Sequence, residues 1–218
     1  MEGRFCYGFC IRFAGSSNCG KTWTLLKLLQ LKDHFSPCPP KRVMWVSGSG
    51  VQNDHVENTV KELYPNSQFF YNLFDMEDFA DKVQEYDFWV FDDLSSELRN
   101  SLEFTNFFTK IAHHKKCIMA YLTQNLYEPG RDAATRTRNC AYQVYFKSKA
   151  DKRWISILGN QLVGNQKKFE ALFDDATQDA YDCLLCDNRP ANPDIEQFIG
   201  KPFSPTEDKP TCFYVPHK

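Results

Sequence analysis

The sequence predicts an α/β protein, a mostly parallel sheet with helices on both faces, and three observations predict it. The first is the run Gly15-Ser16-Ser17-Asn18-Cys19-Gly20-Lys21-Thr22, a complete GxxxxGKT motif set between an apolar stretch at 9–14 and a helix-like apolar pattern at 23–31. The second is Phe88-Trp89-Val90-Phe91-Asp92-Asp93, a buried type of strand that ends in two carboxylates. The third is the alternation of short apolar runs with helical patterns, the mark of βαβ units. Together they define a phosphate-loop NTPase fold.

Taken in order, residues 9–14 deliver the chain to a tight turn in which Gly15 and Gly20 let successive amides point inward, and the following helix aims its positive end at the same anion. Residues 36–41 hold three prolines and end that helix. Residues 42–46 read as a short buried strand stopped by Ser47-Gly48-Ser49-Gly50. Asp54 with Glu57 reads as a capping box opening a helix with Val56, Val60 and Leu63 at i, i+4 and i+7, closed by Pro65. Beyond it the pattern predicts a strand at 68–74, a helix at 77–84, a strand at 88–91, a helix at 97–112, strands at 117–122 and 142–146, and two helical stretches. The segment from Asn188 onward is rich in proline and predicts surface coil. The expected organisation is an ATPase domain over 1–187 and a proline-rich tail, 188–218, packed on it or extending from it.

Composition sets bounds. With 218 residues, 42% hydrophobic and 15% aromatic, the chain is long enough for one α/β domain with a real core. A net charge of -2 and a pI near 6.2 give no basic field, so any DNA contact comes from a local patch or from several subunits together. Nine cysteines is an odd number, the start does not read as a signal peptide, and no apolar stretch approaches the roughly 18 residues of a membrane span. The expectation is a reducing intracellular compartment with thiols that mostly pack.

The motifs name a chemistry. Lys21 is expected to meet the β- and γ-phosphates of ATP, and Thr22 to offer its hydroxyl to Mg2+, with the loop residues Gly15, Ser16, Ser17, Asn18, Cys19 and Gly20 cradling the phosphates. Asp92 is placed to hold Mg2+ through water and Asp93 to orient or deprotonate the attacking water; the alternative is a helix cap ahead of Ser95. Gln124, after the strand at 117–122, suits a polar sensor that donates to phosphate and holds water, against a plain turn at Asn125. Arg131, Arg136 and Arg138 read as a loop cluster open to three roles: a solvated face, DNA phosphate contact, or an arginine finger for the neighbouring subunit. Lys147, Lys149, Lys152 and Arg153 are a candidate DNA track or a solvated helix start.

The order GSSNCGKT, WVFDDL, FFTKIAHH, YLTQNLY, RTRNCAYQVYFK, Gly159-Asn160-Gln161 and AYDCLLCDNRPANPD resembles the poxvirus-type DNA-packaging ATPases of the FtsK/HerA superfamily, with relatives in Polinton/Maverick and adintovirus-like elements. The resemblance covers nearly the whole chain. It implies a homo-oligomeric ring that hydrolyses ATP to drive double-stranded DNA into a preformed capsid, working at the packaging vertex in an infected cell or in association with the virion. It assigns the loop roles to Lys21 and Thr22, the metal to Asp92, the water to Asp93, the sensor to Gln124, and the finger to Arg136 or Arg138. The chain departs from the family at three points. Many members of the superfamily place Glu where Asp93 stands, the family's FKxPRD run is here Phe146-Lys147-Ser148-Lys149-Ala150-Asp151, and the arginine that usually precedes the Asn139 equivalent by several residues is displaced, so that Arg136 and Arg138 compete for its place.

Two features read as bland. Cys183 and Cys186 form a CxxC with no second pair, so packing outweighs zinc. His113-His114 suits a helix end or a subunit contact better than catalysis. The competing functions are a superfamily-three viral helicase, disfavoured by Asp92-Asp93 in place of paired glutamates, and a nucleotide-dependent scaffold or switch, disfavoured as a GTPase by the lack of an NKxD motif.

Overall fold

Short runs of β-branched, aromatic and aliphatic residues become strands, and in the main sheet their alternate side chains feed cores on its two sides. The computed structural model describes residues 5–6, 8–31, 35–36, 40–72, 85–98, 101–111, 114, 116–128, 130–150, 152–191, 197–203 and 210–215. In chain order the elements are β1 (Phe5–Cys6), β2 (Cys10–Ala14), α1 (Lys21–Gln30), β3 (Phe35–Ser36), β4 (Val43–Ser47), α2 (Asp54–Leu63), β5 (Gln68–Phe70), β6 (Phe88–Asp92), α3 (Ser95–Leu98) and α4 (Leu102–Asn106). A π-helical turn (Phe107–Ile111) leads to β7 (Ile118–Thr123), α5 (Arg131–Asn139), β8 (Tyr142–Phe146), α6 (Lys152–Leu162), α7 (Gln166–Ala176), β9 (Cys183–Asp187), β10 (Phe198–Gly200) and β11 (Cys212–Tyr214).

The main sheet has nine strands in the order β11-β10-β9-β8-β2-β7-β6-β4-β5. From β8 to β5 all neighbours are parallel, so these strands share one carboxyl edge. The phosphate-loop strand β2 is central, and β7 lies between it and β6, the strand that carries Asp92. Ile11 and Phe13 pack with Leu25, Leu28 and Leu29 of α1, while Cys10 and Ala14 point to the opposite side. That period of two is what places α1 and α2 on one face and the helices after β6 on the other.

Three expectations are corrected. The segment after Asn188, read as coil, supplies β10 and β11, which extend the sheet antiparallel through β9. The single helix at 97–112 is broken: Ser101 accepts a hydrogen bond from the Phe104 amide at 3.1 Å and starts a new helix, and the π turn then brings Phe107 and Phe108 both into the core. The cap of α2 is Asn53, which accepts from the Val56 amide at 3.3 Å, while Glu57 instead meets Lys61 and Tyr71. The helix expected at 77–84 and His113 lie outside the described residues, as does the end of the strand expected at 68–74.

One buried charge organises the centre. Arg12, in the middle of β2, is 1% exposed. Its Nη2 donates to the carbonyls of Asn125 (2.8 Å) and Leu126 (3.0 Å), and its Nε lies 4.0 Å from Glu128. Glu128 in turn accepts from the hydroxyls of Tyr121 and Thr123 on β7 at 2.7 and 3.1 Å. Removing one partner of a buried pair leaves the other charge stranded, which costs about 3–5 kcal/mol. Glu128→Ala is therefore expected to lose about that much in urea unfolding, and the double variant Arg12→Leu, Glu128→Leu to recover most of it. A Glu128→Ala protein as stable as the parent would show that the pair is not the anchor.

Candidate functional site

The carboxyl edge of the parallel strands gathers the residues expected to meet a triphosphate. β2 ends at Ala14, the loop turns through Asn18 and Gly20 at positive φ (60° and 100°), and α1 starts at Lys21 with no side-chain cap on its first amides. Uncapped amides at a helix start are an anion site. The Lys21 ammonium folds back over the loop and donates to the carbonyls of Gly15 (2.8 Å) and Ser16 (2.9 Å).

Opposite the loop stand the acids. The Thr22 hydroxyl donates to Asp92 Oδ2 at 3.4 Å. Burial, reinforced by the neighbouring Asp93 charge, pushes the Asp92 carboxyl up to about 6. A covered carboxylate beside a threonine hydroxyl is a donor set that suits a hard cation such as Mg2+, whose charge would relieve that desolvation. Asp93 takes a left-handed backbone, φ 55°, and its Oδ1 accepts from Gln124 Nε2 at 2.7 Å. Backbone held in this region by a non-glycine residue concentrates where function needs it. The turn is fixed from β4: the Gly48 amide donates to the Asp92 carbonyl at 2.9 Å, and a β-carbon on Gly48 would sit 2.2 Å from the Asp93 carbonyl oxygen. Only glycine fits there.

Lys21, Thr22, Asp92, Asp93 and Gln124 line one cleft of about 300 Å3, together with Ser47, Ser49 and Tyr71. Reading Ser47-Gly48-Ser49-Gly50 as a strand stop missed these two hydroxyls. The signal was present, because a polar run at the end of a parallel strand lies on the same edge as the phosphate loop.

The arginine reading changes. Arg131, Arg136 and Arg138 lie on α5 rather than in a loop. Arg136 is 1% exposed, donates to Thr105 Oγ1 at 2.9 Å and stacks its guanidinium over Phe104 and Tyr121 at 5.6 and 5.9 Å. A side chain so enclosed cannot reach a neighbouring subunit, so Arg136 is a packing residue and not a finger. Arg131 and Arg138 are exposed. Lys147 and Lys149, grouped by sequence with Lys152 and Arg153, border a hollow of about 660 Å3 that the loop residues Ser16, Ser17, Asn18 and Cys19 also line. Lys152 and Arg153 instead open α6, exposed, with Arg153 over the Trp154 ring at 5.9 Å. Cys183 and Cys186 are three residues apart on β9 and so enter opposite cores. Among the described residues no His, Cys, Asp and Glu cluster fits a metal of its own. His114 is exposed.

No protein-family model matches the chain, and no curated protein matches it. Solved structures do. The DNA-packaging ATPase from Sulfolobus turreted icosahedral virus aligns with 97% of this chain and 99% of its own, at a TM-score of 0.55 and 9% identity. The genome packaging NTPase from Sulfolobus turreted icosahedral virus 2, in complex with sulfate, aligns with 96% and 97% at 0.54 and 12%. At such identity the likeness is one of fold: the chain has the α/β architecture of these NTPases over nearly its full length.

The half-buried Asp92 gives a test. The folded protein holds the Asp92 proton more tightly than the unfolded chain does, with a value of about 6 against 3.8, so without divalent cations stability falls as pH rises from about 4 through 6. Asp92→Asn removes that loss. At pH 8 without metal it is expected to be more stable than the parent by about 1–3 kcal/mol in urea, and at pH 4 no more stable. A variant equally or less stable at pH 8 would contradict the buried-charge account.

Proposed function

We propose that the chain is a Mg2+-dependent ATPase that works as a homo-oligomeric ring and drives double-stranded viral DNA into a preformed capsid. The observation that carries the hydrolytic reading is the convergence of Lys21, Thr22, Asp92, Asp93 and Gln124 on one cleft at the carboxyl edge of β2, β6 and β7. The packaging role is supported by near full-length likeness to two solved structures, one described as a DNA-packaging ATPase and one as a genome packaging NTPase. The residue runs that resemble poxvirus-type members of the FtsK/HerA superfamily support the finer placement.

In this reading the Lys21 ammonium leaves the carbonyls of Gly15 and Ser16 for the β- and γ-phosphates, a better partner for a full positive charge. Thr22 and, through water, Asp92 would hold Mg2+, which would supply positive charge to the phosphate oxygens. Asp93 takes the proton of the attacking water, and the Gln124 amide, already bonded to Asp93, orients that carboxylate and the water between them. The exposed Arg138 keeps the finger assignment, in trans. Double-stranded DNA would meet Lys152 and Arg153, and Lys147 and Lys149 by the loop would couple that contact to the phosphates.

Two variants should separate binding from chemistry. Lys21→Ala is expected to lose ATP affinity by 100-fold or more, on the order of the loss of a charged phosphate contact. Asp93→Asn should keep affinity within about threefold and lose about 10²–10⁴ in turnover, since an amide holds water but takes no proton. Equal loss of affinity in both would mean that the two roles are misassigned.

DNA coupling is tested by salt. DNA-stimulated hydrolysis should fall steeply with salt and be indifferent to sequence, because phosphate contacts release counterions and read no bases. Neutralising Lys152 and Arg153 should reduce both the stimulation and the salt slope, the slope by about one for each DNA phosphate that the protein no longer neutralises. Full stimulation with an unchanged slope would place the DNA elsewhere.

A further inference from the structure

The hydrolytic cleft accounts for one side of the phosphate loop. On its other side is a larger cavity of about 850 Å3, lined by Gly20 and Trp23 at the start of α1 and by Tyr181, Asp182, Lys201 and Phe203 from the approach to β9 and the end of β10. That size is within the roughly 300–1,000 Å3 of small-molecule sites.

Three observations set this cavity apart. Among the described residues five non-glycines have positive φ, and three of them, Asn18 (60°), Tyr181 (70°) and Lys201 (52°), line it. Left-handed backbone is unfavourable for a residue with a β-carbon, so its concentration in one place marks a built site. Two aromatic rings that a soluble surface gains nothing by displaying also face it: Tyr181 is 64% exposed and Trp23 50% exposed. Tyr181 lies against the loop itself, since a β-carbon on Gly20 would come within 3.1 Å of its ring. Finally, Asp182 and Lys201 form an ion pair at 3.7 Å with side chains only 17% and 18% exposed.

Resting on the ATPase reading above, we propose that this cavity holds the nucleobase and ribose of the bound nucleotide, with Tyr181 as the stacking face and Asp182 and Lys201 as the polar rim. The two hollows fix the nucleotide's direction. Its terminal phosphate points to Asp93 and Gln124, and the chain of phosphates passes Asn18, Lys21 and Thr22, which border both hollows. A purine edge offers an amino donor and a ring-nitrogen acceptor, which the Asp182 carboxylate and the Lys201 ammonium complement. The exposed ring is thus covered only when a base lies on it.

The test compares ATP with inorganic tripolyphosphate, which has the phosphates and no base. Stacking on an aromatic side chain is worth a factor of about 5–100 in affinity. Tyr181→Ala is expected to weaken ATP binding by that factor and to leave tripolyphosphate within about twofold, while Tyr181→Phe binds ATP as the parent does. In the parent protein, Trp23 emission should change with ATP and not with tripolyphosphate, a response absent in Trp23→Phe; this arm needs no altered Tyr181. Equal weakening of both ligands by Tyr181→Ala, weakening of neither, or an identical Trp23 response to both overturns the base site. Binding of neither ligand by the parent, or tripolyphosphate binding indifferent to Lys21→Ala, overturns the ATPase reading and the base site with it.

Discussion

The arrangement of the sheet's carboxyl edge depends on a charge buried where sequence pattern calls for an apolar residue. Arg12 sits in the central strand between β7 and β8, paired in register with Tyr121 and Gln143. Out of water its guanidinium requires acceptors and a counter-charge; the carbonyls of Asn125 and Leu126 accept its hydrogen bonds, and the Glu128 carboxylate 4.0 Å away supplies the charge. All three come from the segment that follows β7. Arg12 therefore ties that segment down over the end of the phosphate-loop strand, and the residue just before it, Gln124, is left exposed and aimed at Asp93. The same strand that presents the loop also positions the amide that faces it.

Around that anchor the site is assembled by close approach rather than by flexible reach. Gly48, just after β4, sets the turn at Asp92 and Asp93, and Asp93 is held in a left-handed conformation that its neighbours impose. The Lys21 ammonium resting on loop carbonyls and the covered Asp92 carboxyl are both charges with inferior partners. An anionic ligand and a divalent cation in the same cleft would satisfy both at once. Preorganisation of this kind lets binding energy go to phosphate contacts instead of to ordering the protein.

Much of this was legible in the sequence because it is local. The GxxxxGKT loop between strand and helix, the apolar strand ending in Asp92-Asp93 and the strand ending in Thr123-Gln124 each carry their meaning within about ten residues, and parallel pairing then forces all three to one edge. What escaped was decided between distant elements. Arg12 was absorbed into an apolar run, and only a question about its counterion would have flagged it. Arg136 resembled an accessible cation beside Arg138, but Phe104, Thr105 and Tyr121 enclose it from two other elements. Proline in the last thirty residues suggested coil, although two three-residue strands fit between those prolines, β10 on the edge of β9 and β11 on β10. Tyr181 reaches Gly20, and Lys201 the same cavity, from far along the chain, and no local pattern announces such a meeting.

The account's central claim is that one loop, with acids opposite it, holds a triphosphate for attack by water. A crystal structure with Mg2+ and a non-hydrolysable ATP analogue tests it most directly. The account predicts that Lys21 Nζ leaves the carbonyls of Gly15 and Ser16 and lies about 3 Å from β- and γ-phosphate oxygens. It also predicts an ordered water between the γ-phosphate and the side chains of Asp93 and Gln124. A nucleotide bound elsewhere while Lys21 stays on the loop carbonyls, or a γ-phosphate turned away from Asp93, would contradict it.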